Sequence, residues 1–306
     1  MDITSIVTAL RIRLEDVLAA PRARYRPLVV DDEEVGWVDD GRAGRLAAFT
    51  DVFIVDEGRI TFVRALLEPS ERTLAVERVA RALSEERLLT AWRNERYAVT
   101  GELGKPPRFE LERAAARYFG IHTYAAHLNG LARRDGAAYM WLARRSPRKA
   151  IDPGLLDNLV GGGIAAGASV PAALAKEAGE EAGISEADAA QARPHGTVHV
   201  CREQPDGLQR ETIFVHDLWL DADFLPMCQD GEVVDYRLAT LPDAASLAAN
   251  REGPDVVTAD ASLVIVDCLI RHDVIAKDSP DYPPLSALRY PLLEPAGMAR
   301  TPLTRP

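Results

Sequence analysis

Residues 161–184, GGGIAAGASVPAALAKEAGEEAGI, set a run of glycines directly ahead of a helix-forming stretch that carries Glu177, Glu180 and Glu181. Glutamates at i, i+3 and i+4 share one face of a helix, where their mutual repulsion destabilises it unless something cationic sits among them. A hard divalent cation suits such oxygen donors, and Mg²⁺ is commonly held by one or two carboxylates plus substrate phosphates. Taken alone, the three carboxylates are equally well explained as a solvated acidic face. The glycines shift the balance toward a ligand site: Gly161, Gly162, Gly163 and Gly167 allow close backbone approach, and Gly183 supplies a left-handed helix end.

The same segment resembles the box of the Nudix hydrolases. Laid on that pattern, the positions fall on Gly162, Ala168, Lys176, Glu177, Ala178, Glu180, Glu181, Gly183 and Ile184. The resemblance implies that Glu177, Glu180 and Glu181 are both the metal-binding and the catalytic carboxylates. Two positions depart from the pattern: Ala168 stands where the family has its first Glu, and Lys176 where it has Arg. Lys176 keeps the charge and loses the planar fork that grips a carboxylate bidentately. Gly179, inside the helix, costs about 1 kcal/mol relative to Ala.

Longer stretches narrow the resemblance. RYRPLVV with VGWV, FTDVF, ERAAARYFGIHTYAAHLNG, LARRSPRKAIDPGLLDNLVGGGIAAG and QDGEVVDYRL are similar to one Nudix subgroup whose N-terminal extension is related to thiamine pyrophosphokinase proteins. That resemblance implies Mg²⁺-dependent hydrolysis, with Mn²⁺ as a substitute, of thiamine diphosphate or its oxidised analogues to the monophosphate. It also implies a fourth carboxylate from a later strand or loop, for which Glu211 and Glu232 are the candidates. Two other readings stay open: hydrolysis of a nucleoside diphosphate derivative such as ADP-ribose or a nucleotide sugar, and a catalytically weakened protein that binds a thiamine-type ligand.

Charge supports an anionic small molecule and opposes nucleic acid. The chain carries −11 overall, the wrong sign for neutralising a phosphate backbone, yet Arg133 to Lys149 holds a local balance of +5. Arg144, Arg145, Arg148 and Lys149 precede the box and are the candidates to contact phosphate, together with the backbone of Gly162 and Gly163. For the organic end of the substrate, Trp37, Trp92, Tyr118, Phe119 and Tyr124 are available for cation–π contact, with core packing the commoner fate of each. The six histidines show no HxH or HExxH spacing, so zinc is not indicated.

Cys201, Cys228 and Cys268 are widely spaced with no CxxC, which suits a reducing compartment. The N-terminus has no small-residue cleavage site, and the long uncharged run 159–175 is broken by four glycines and Pro171. A cytoplasmic protein without membrane contact is the expectation, and a homodimer is compatible with it.

Two domains follow from 306 residues that are 47% hydrophobic. Apolar residues at three- and four-residue spacing predict a helix over 3–19. Short apolar runs at 28–30, 52–55 and 60–63 predict a small sheet, with Asp39-Asp40-Gly41 as a turn, and a charged helix follows from Ser70 as N-cap to about Trp92. TGELGKPPR, residues 100–108, marks the break. Residues 1–110 are expected to form an α+β unit related to thiamine pyrophosphokinase. Residues 111–275 are expected to form an α/β/α Nudix sandwich with a mixed sheet, and 276–306 an extended Pro-rich tail.

Overall fold

The computed structural model describes residues 2–294. Helix α1 (Ile3–Val17) is capped by the Asp2 side chain and leads to β1 (Tyr25–Val30) and β2 (Glu33–Asp39). Then come α2 (Asp40–Leu46), β3 (Phe53–Val55), β4 (Ile60–Phe62) and α3 (Pro69–Glu85). The first sheet runs β2-β1-β4-β3, with β1 and β4 parallel. Asp39 does not turn the chain but caps α2, accepting from the N–H groups of Gly41 and Arg42. Ser70 is not the N-cap of α3: Glu68 and Glu71 close a capping box around Pro69, satisfying two of the orphan N–H groups of the first turn. A hairpin of β5 (Arg96–Val99) and β6 (Phe109–Glu112) packs on α3, and residues 100–108 form its loop. Val76, Val79 and Leu83 of α3 bury against Phe53, Phe109 and Phe119 in a core that reaches Ile121.

The second unit is a mixed sheet between helices. Its strands are β7 (His122–Arg134), β8 (Ala137–Arg145), β9 (Leu156–Asn158) and β10 (Val160–Gly163), and, after α4 (Val170–Ala182) and α5 (Glu186–Ala189), β11 (Arg193–Gln204), β12 (Gly207–Trp219) and β13 (Val233–Thr240). The order is β11-β12-β7-β8-β13, with β10 on β7 and β9 on β8, and only β12 and β7 run parallel. Helices α6 (Leu241–Ala248), α7 (Ala259–Arg271) and α8 (Tyr282–Leu288) complete the described chain.

Alternation along β7 divides the two cores. Ala125 and Leu131 face one layer with α6 and α7, while Tyr124, Ala126 and Leu128 face α4. Helix α1 joins the first of these layers: Leu10 and Leu14 pack with Leu131, Val264 and Leu269, not with the N-terminal sheet. Arg13, buried beside them, donates to Ser262 Oγ (2.9 Å) and to the carbonyls of Ala248 and Val257. Residues 282–288 are helical where the proline content predicted extension. Pro283 and Pro284 occupy the first turn, where a missing N–H costs nothing. The remainder of the Pro-rich segment, 295–306, lies outside the described residues.

The two units meet through Trp37, Tyr25, Cys201 and Leu208. Gly120 turns the chain there with φ +56°, and a Cβ on it would lie 2.8 Å from the Trp37 carbonyl carbon, so only glycine fits. Just beyond, His122 shares a 2.9 Å hydrogen bond with Thr212 Oγ1. Burial, with added repulsion from Arg210, pulls its pKa down to about 3. An imidazole in the unfolded chain titrates near 6.5, so between pH 6.5 and 3 the unfolded state holds more protons and stability falls as pH drops. From pH 7 to pH 5 this group removes about 2 kcal/mol. In urea denaturation at those two pH values, His122→Gln should lose most of that difference; an unchanged difference would show that the acid sensitivity arises elsewhere.

Candidate active site

Strand β10 is bonded to β7 on one side only, which leaves its other edge open to α4. Helix α4 begins at Ser169, whose side chain accepts from the Ala172 N–H, and ends at Gly183 with φ +67°. Its buried stripe, Ala173, Leu174, Ala178 and Ala182, fixes its rotation so that Glu177 and Glu181 reach the glycine strand and Glu180 stays outside it. Each of the three does something different there.

Glu181 is the most enclosed, with 6% of its side chain exposed. Its Oε2 accepts the free edge N–H of Gly161 (2.9 Å), and Lys149 Nζ donates to Oε1 (3.3 Å). Burial raises its pKa to about 7 against the pull of Lys149 and Gly161. Glu177 is 17% exposed and its pKa is also raised by burial. Its carboxyl group covers Gly162, where a Cβ would stand 2.5 Å from Glu177 Cδ and 2.9 Å from Oε2. Glu180 is the outermost, at 41% exposure. The charge compensation that three carboxylates require comes from two ammonium groups. Lys176 Nζ donates to Glu177 Oε1 (3.0 Å) and Glu180 Oε2 (2.7 Å), and Lys149 neutralises Glu181. Lys176 thus bonds the helix carboxylates directly, a role for which the absent carboxylate at position 168 is not needed.

A cavity of about 160 Å³ opens beside this strand, between the two units. Gly161, Gly162 and Gly163 form one wall, and Lys149, Arg145, Glu211, Glu232 and Asp260 also line it. Arg145 and Arg144 are neighbours on β8 and therefore point to opposite faces. Arg145 is in the cavity wall, held by Asp157 Oδ2 (2.7 Å) and the carbonyls of Ile151 and Asp152. The structure does not bring Arg144 to the cavity: its guanidinium binds Asp255 and the carbonyls of Gly154 and Pro254. Arg148 is likewise outside the lining. None of Trp37, Trp92, Tyr118, Phe119 and Tyr124 lines this cavity, and all but Trp92 are buried in the packing.

The two candidates for a fourth carboxylate are electrostatic opposites. Glu232 is tied to Lys149 and to Arg93 Nη1 (2.8 Å); burial works against ionisation, but these hydrogen bonds hold it at about 2. Glu211 is raised by burial and by Asp260, while Thr123 Oγ1 (3.1 Å) and Gln209 Nε2 (3.2 Å) donate to it. The same Gln209 amide donates to Asp260 Oδ2 (2.8 Å), linking the start of α7 to β12.

Sequence reasoning missed Asp260, and it missed Arg93, Tyr97, Arg113 and Arg117, which the N-terminal unit contributes to the lining. Spacing carries no trace of Asp260. The pair Arg113 and Arg117, four residues apart at the junction of the units, was the one visible sign of the others.

A divalent cation fits this site. The donors are all oxygen, with Glu177 and Glu181 brought against the side-chain-free strand Gly161–Gly163, and two lysines now supply the positive charge such an ion would bring. Among the described residues the three glutamates do not converge to within 4.8 Å of one another as they stand; Asp217, Cys268 and His272 do, but Asp217 is already taken by Arg271 and Asn129. No helix among the described residues is long and apolar enough to cross a membrane.

Comparison with known proteins agrees with this layout. Residues 122–260 match the family model described as the NUDIX domain, and residues 10–123 match one described as a domain of unknown function, DUF4743. Nudix hydrolase 24, chloroplastic, from Arabidopsis thaliana is 38% identical over 260 residues, which cover 84% of this chain and 70% of that protein. Nudix hydrolase 20, chloroplastic, from the same plant is 37% identical over 267 residues, covering 84% and 71%. An uncharacterized protein of Saccharomyces cerevisiae is 31% identical over 252 residues, covering 76% and 72%.

Proposed function

This chain belongs to the Nudix hydrolase family, and from that premise we propose that it hydrolyses a diphosphate at the cavity beside the glycine strand, with Mg²⁺ or Mn²⁺ held by Glu177, Glu180 and Glu181. The observation that carries the reading is the placement of Glu177 against Gly162 and of Glu181 on the Gly161 N–H, on the strand whose three glycines also line the cavity, while the glutamate side chains themselves stand outside that lining. When bound, such an ion polarises a phosphoryl oxygen and lowers the pKa of a coordinated water.

The chain's own groups then divide the work. Lys149 and Arg145 place positive charge in the cavity wall, and the Gly161 N–H fixes the Glu181 carboxylate. Glu211 is the better placed base: its raised pKa lets one of its Oε atoms take the proton of the attacking water, whereas Glu232 is too well paired to do so. The water oxygen bonds to one phosphorus, the bond from that phosphorus to the bridging oxygen breaks, and monophosphate and phosphate leave.

For the substrate we take thiamine diphosphate or its oxidised analogues, on the resemblance of the long stretches quoted above. The three cysteines are free thiols, which suits action in a reducing compartment such as the cytosol. The test is a substrate panel of thiamine diphosphate, its oxidised analogues, ADP-ribose and a nucleotide sugar, each with Mg²⁺. The thiamine compounds should be cleaved with the highest kcat/KM. Preference for the nucleotide compounds would overturn the substrate and leave the site; binding of a thiamine compound without release of phosphate would overturn the reaction.

A further inference from the structure

An anionic substrate entering this cavity meets Glu211, Glu232 and Asp260 in its walls, so it needs cations that are not already spent. Most of those present are. Lys149 serves Glu181 and Glu232, Arg93 serves Glu232, Arg145 is held by Asp157 and two carbonyls, Arg210 by the carbonyls of Gly120 and Leu293, and Arg117 is paired at 3.6 Å with Asp206.

Two side chains of the N-terminal unit are different. Arg113, in the short turn after β6, donates Nη1 to Glu95 Oε2 (2.9 Å), and its Nε and Nη2 have no partner among the described residues. Burial lowers its pKa, but Tyr97, Glu95 and Glu211 outweigh that and keep the guanidinium charged. Tyr97 of β5 lies under it, with the guanidinium carbon 5.7 Å from the ring centroid. The Tyr97 hydroxyl also has no hydrogen-bond partner among the described residues. It rests on Gly163, where a Cβ would stand 2.9 Å from Tyr97 Cζ. Position 163 is therefore a glycine so that a side chain from the other unit can reach the catalytic strand.

We propose that Arg113 and Tyr97 form a phosphate subsite, supplied by the N-terminal unit, that completes the active site of the Nudix unit. The free edge of the Arg113 guanidinium presents Nε and Nη2 to two non-bridging oxygens of one phosphate, and the Tyr97 hydroxyl donates to a third. The ligand class is a diphosphate or its phosphate product, whatever organic group it carries. This subsite rests on the reading of the cavity as a diphosphate site, and it explains why a second unit is packed against the glycine strand at all.

The test uses the full chain and two readouts. The first is calorimetric binding of inorganic pyrophosphate to the metal-free protein. The second is the split between KM and kcat for thiamine diphosphate with Mg²⁺. Arg113→Met should weaken pyrophosphate binding and raise KM at least tenfold while kcat changes by less than threefold. Arg113→Lys, which keeps the charge beside Glu95 but not the fork, should recover only part of the loss, and Tyr97→Phe should weaken binding about threefold to fivefold. If Arg113→Met does not fold by thermal melt, Arg113→Lys decides alone. Pyrophosphate affinity and KM within twofold of wild type in Arg113→Lys, or in a folded Arg113→Met, would overturn the subsite. So would a wild-type chain that binds no pyrophosphate at millimolar concentration. A wild-type chain that binds pyrophosphate through Arg113 but cleaves no diphosphate would overturn the proposed reaction and leave the subsite standing.

Discussion

Glu177→Gln should lower kcat/KM for the preferred diphosphate by about 10³-fold, equivalent to about 4 kcal/mol of transition-state stabilisation, while leaving the fold intact. Two physical facts separate the activity loss from any loss of stability. Glu177 is held with its carboxyl group largely out of water, which raises its pKa, so a neutral amide of the same shape removes a burial cost. Its one hydrogen-bond partner, Lys176, keeps Glu180 at 2.7 Å. The melting temperature should therefore stay at or above that of wild type, and added Mg²⁺ should raise it less than it raises wild type. Steady-state kinetics and thermal unfolding with and without Mg²⁺ check both statements. A variant that keeps more than a tenth of the activity would show that Glu177 is only part of an acidic face.

Gly162→Ala should cost about 10²-fold in kcat, although it adds a single methyl group and removes no functional atom. The new Cβ would stand 2.5 Å from Glu177 Cδ, so the carboxyl group must move, and displacement of about 1 Å is enough for a loss of this size. The double variant Gly162→Ala, Glu177→Gln should be no worse than Glu177→Gln alone, because both act through one carboxylate. Additive losses in that cycle would mean that Gly162 serves the substrate directly and not through Glu177.

Some of this architecture was legible in the sequence because it is written locally. Helix α4 combines an N-cap serine, an apolar stripe and a left-handed terminal glycine, all within a short span, and the three carboxylates inherit their common face from that periodicity. Where a local rule left two outcomes, the capping hydrogen bonds chose. Asp39 begins a helix instead of turning a hairpin because its side chain caps two N–H groups, and Glu68 displaces Ser70 as the cap because Glu71 returns a bond to it. The basic run before the box marked an anion site in general. Only the pleat of β8 could divide it, sending Arg145 into the cavity and Arg144 out to Asp255.

What the sequence hid is the part assembled across long separations. Asp260 reaches Glu211 through the side chain of Gln209, 51 residues away from Asp260. Tyr97 comes from the other unit with Arg113 over its ring, and it meets Gly163 because the β5–β6 hairpin lies against β7. Such contacts follow from how the two sheets pack, and no periodicity within either one encodes them.

The central claim is that Glu177, Glu180 and Glu181 hold a divalent ion with which this chain cleaves a diphosphate. The most direct measurement is phosphate release from thiamine diphosphate by chelator-treated protein, before and during Mg²⁺ addition, with Glu181→Gln run in parallel. No release is expected without the ion, with saturable recovery as Mg²⁺ is added and no recovery in the variant. Release that is independent of Mg²⁺, or that the variant recovers as fully as wild type, would contradict it.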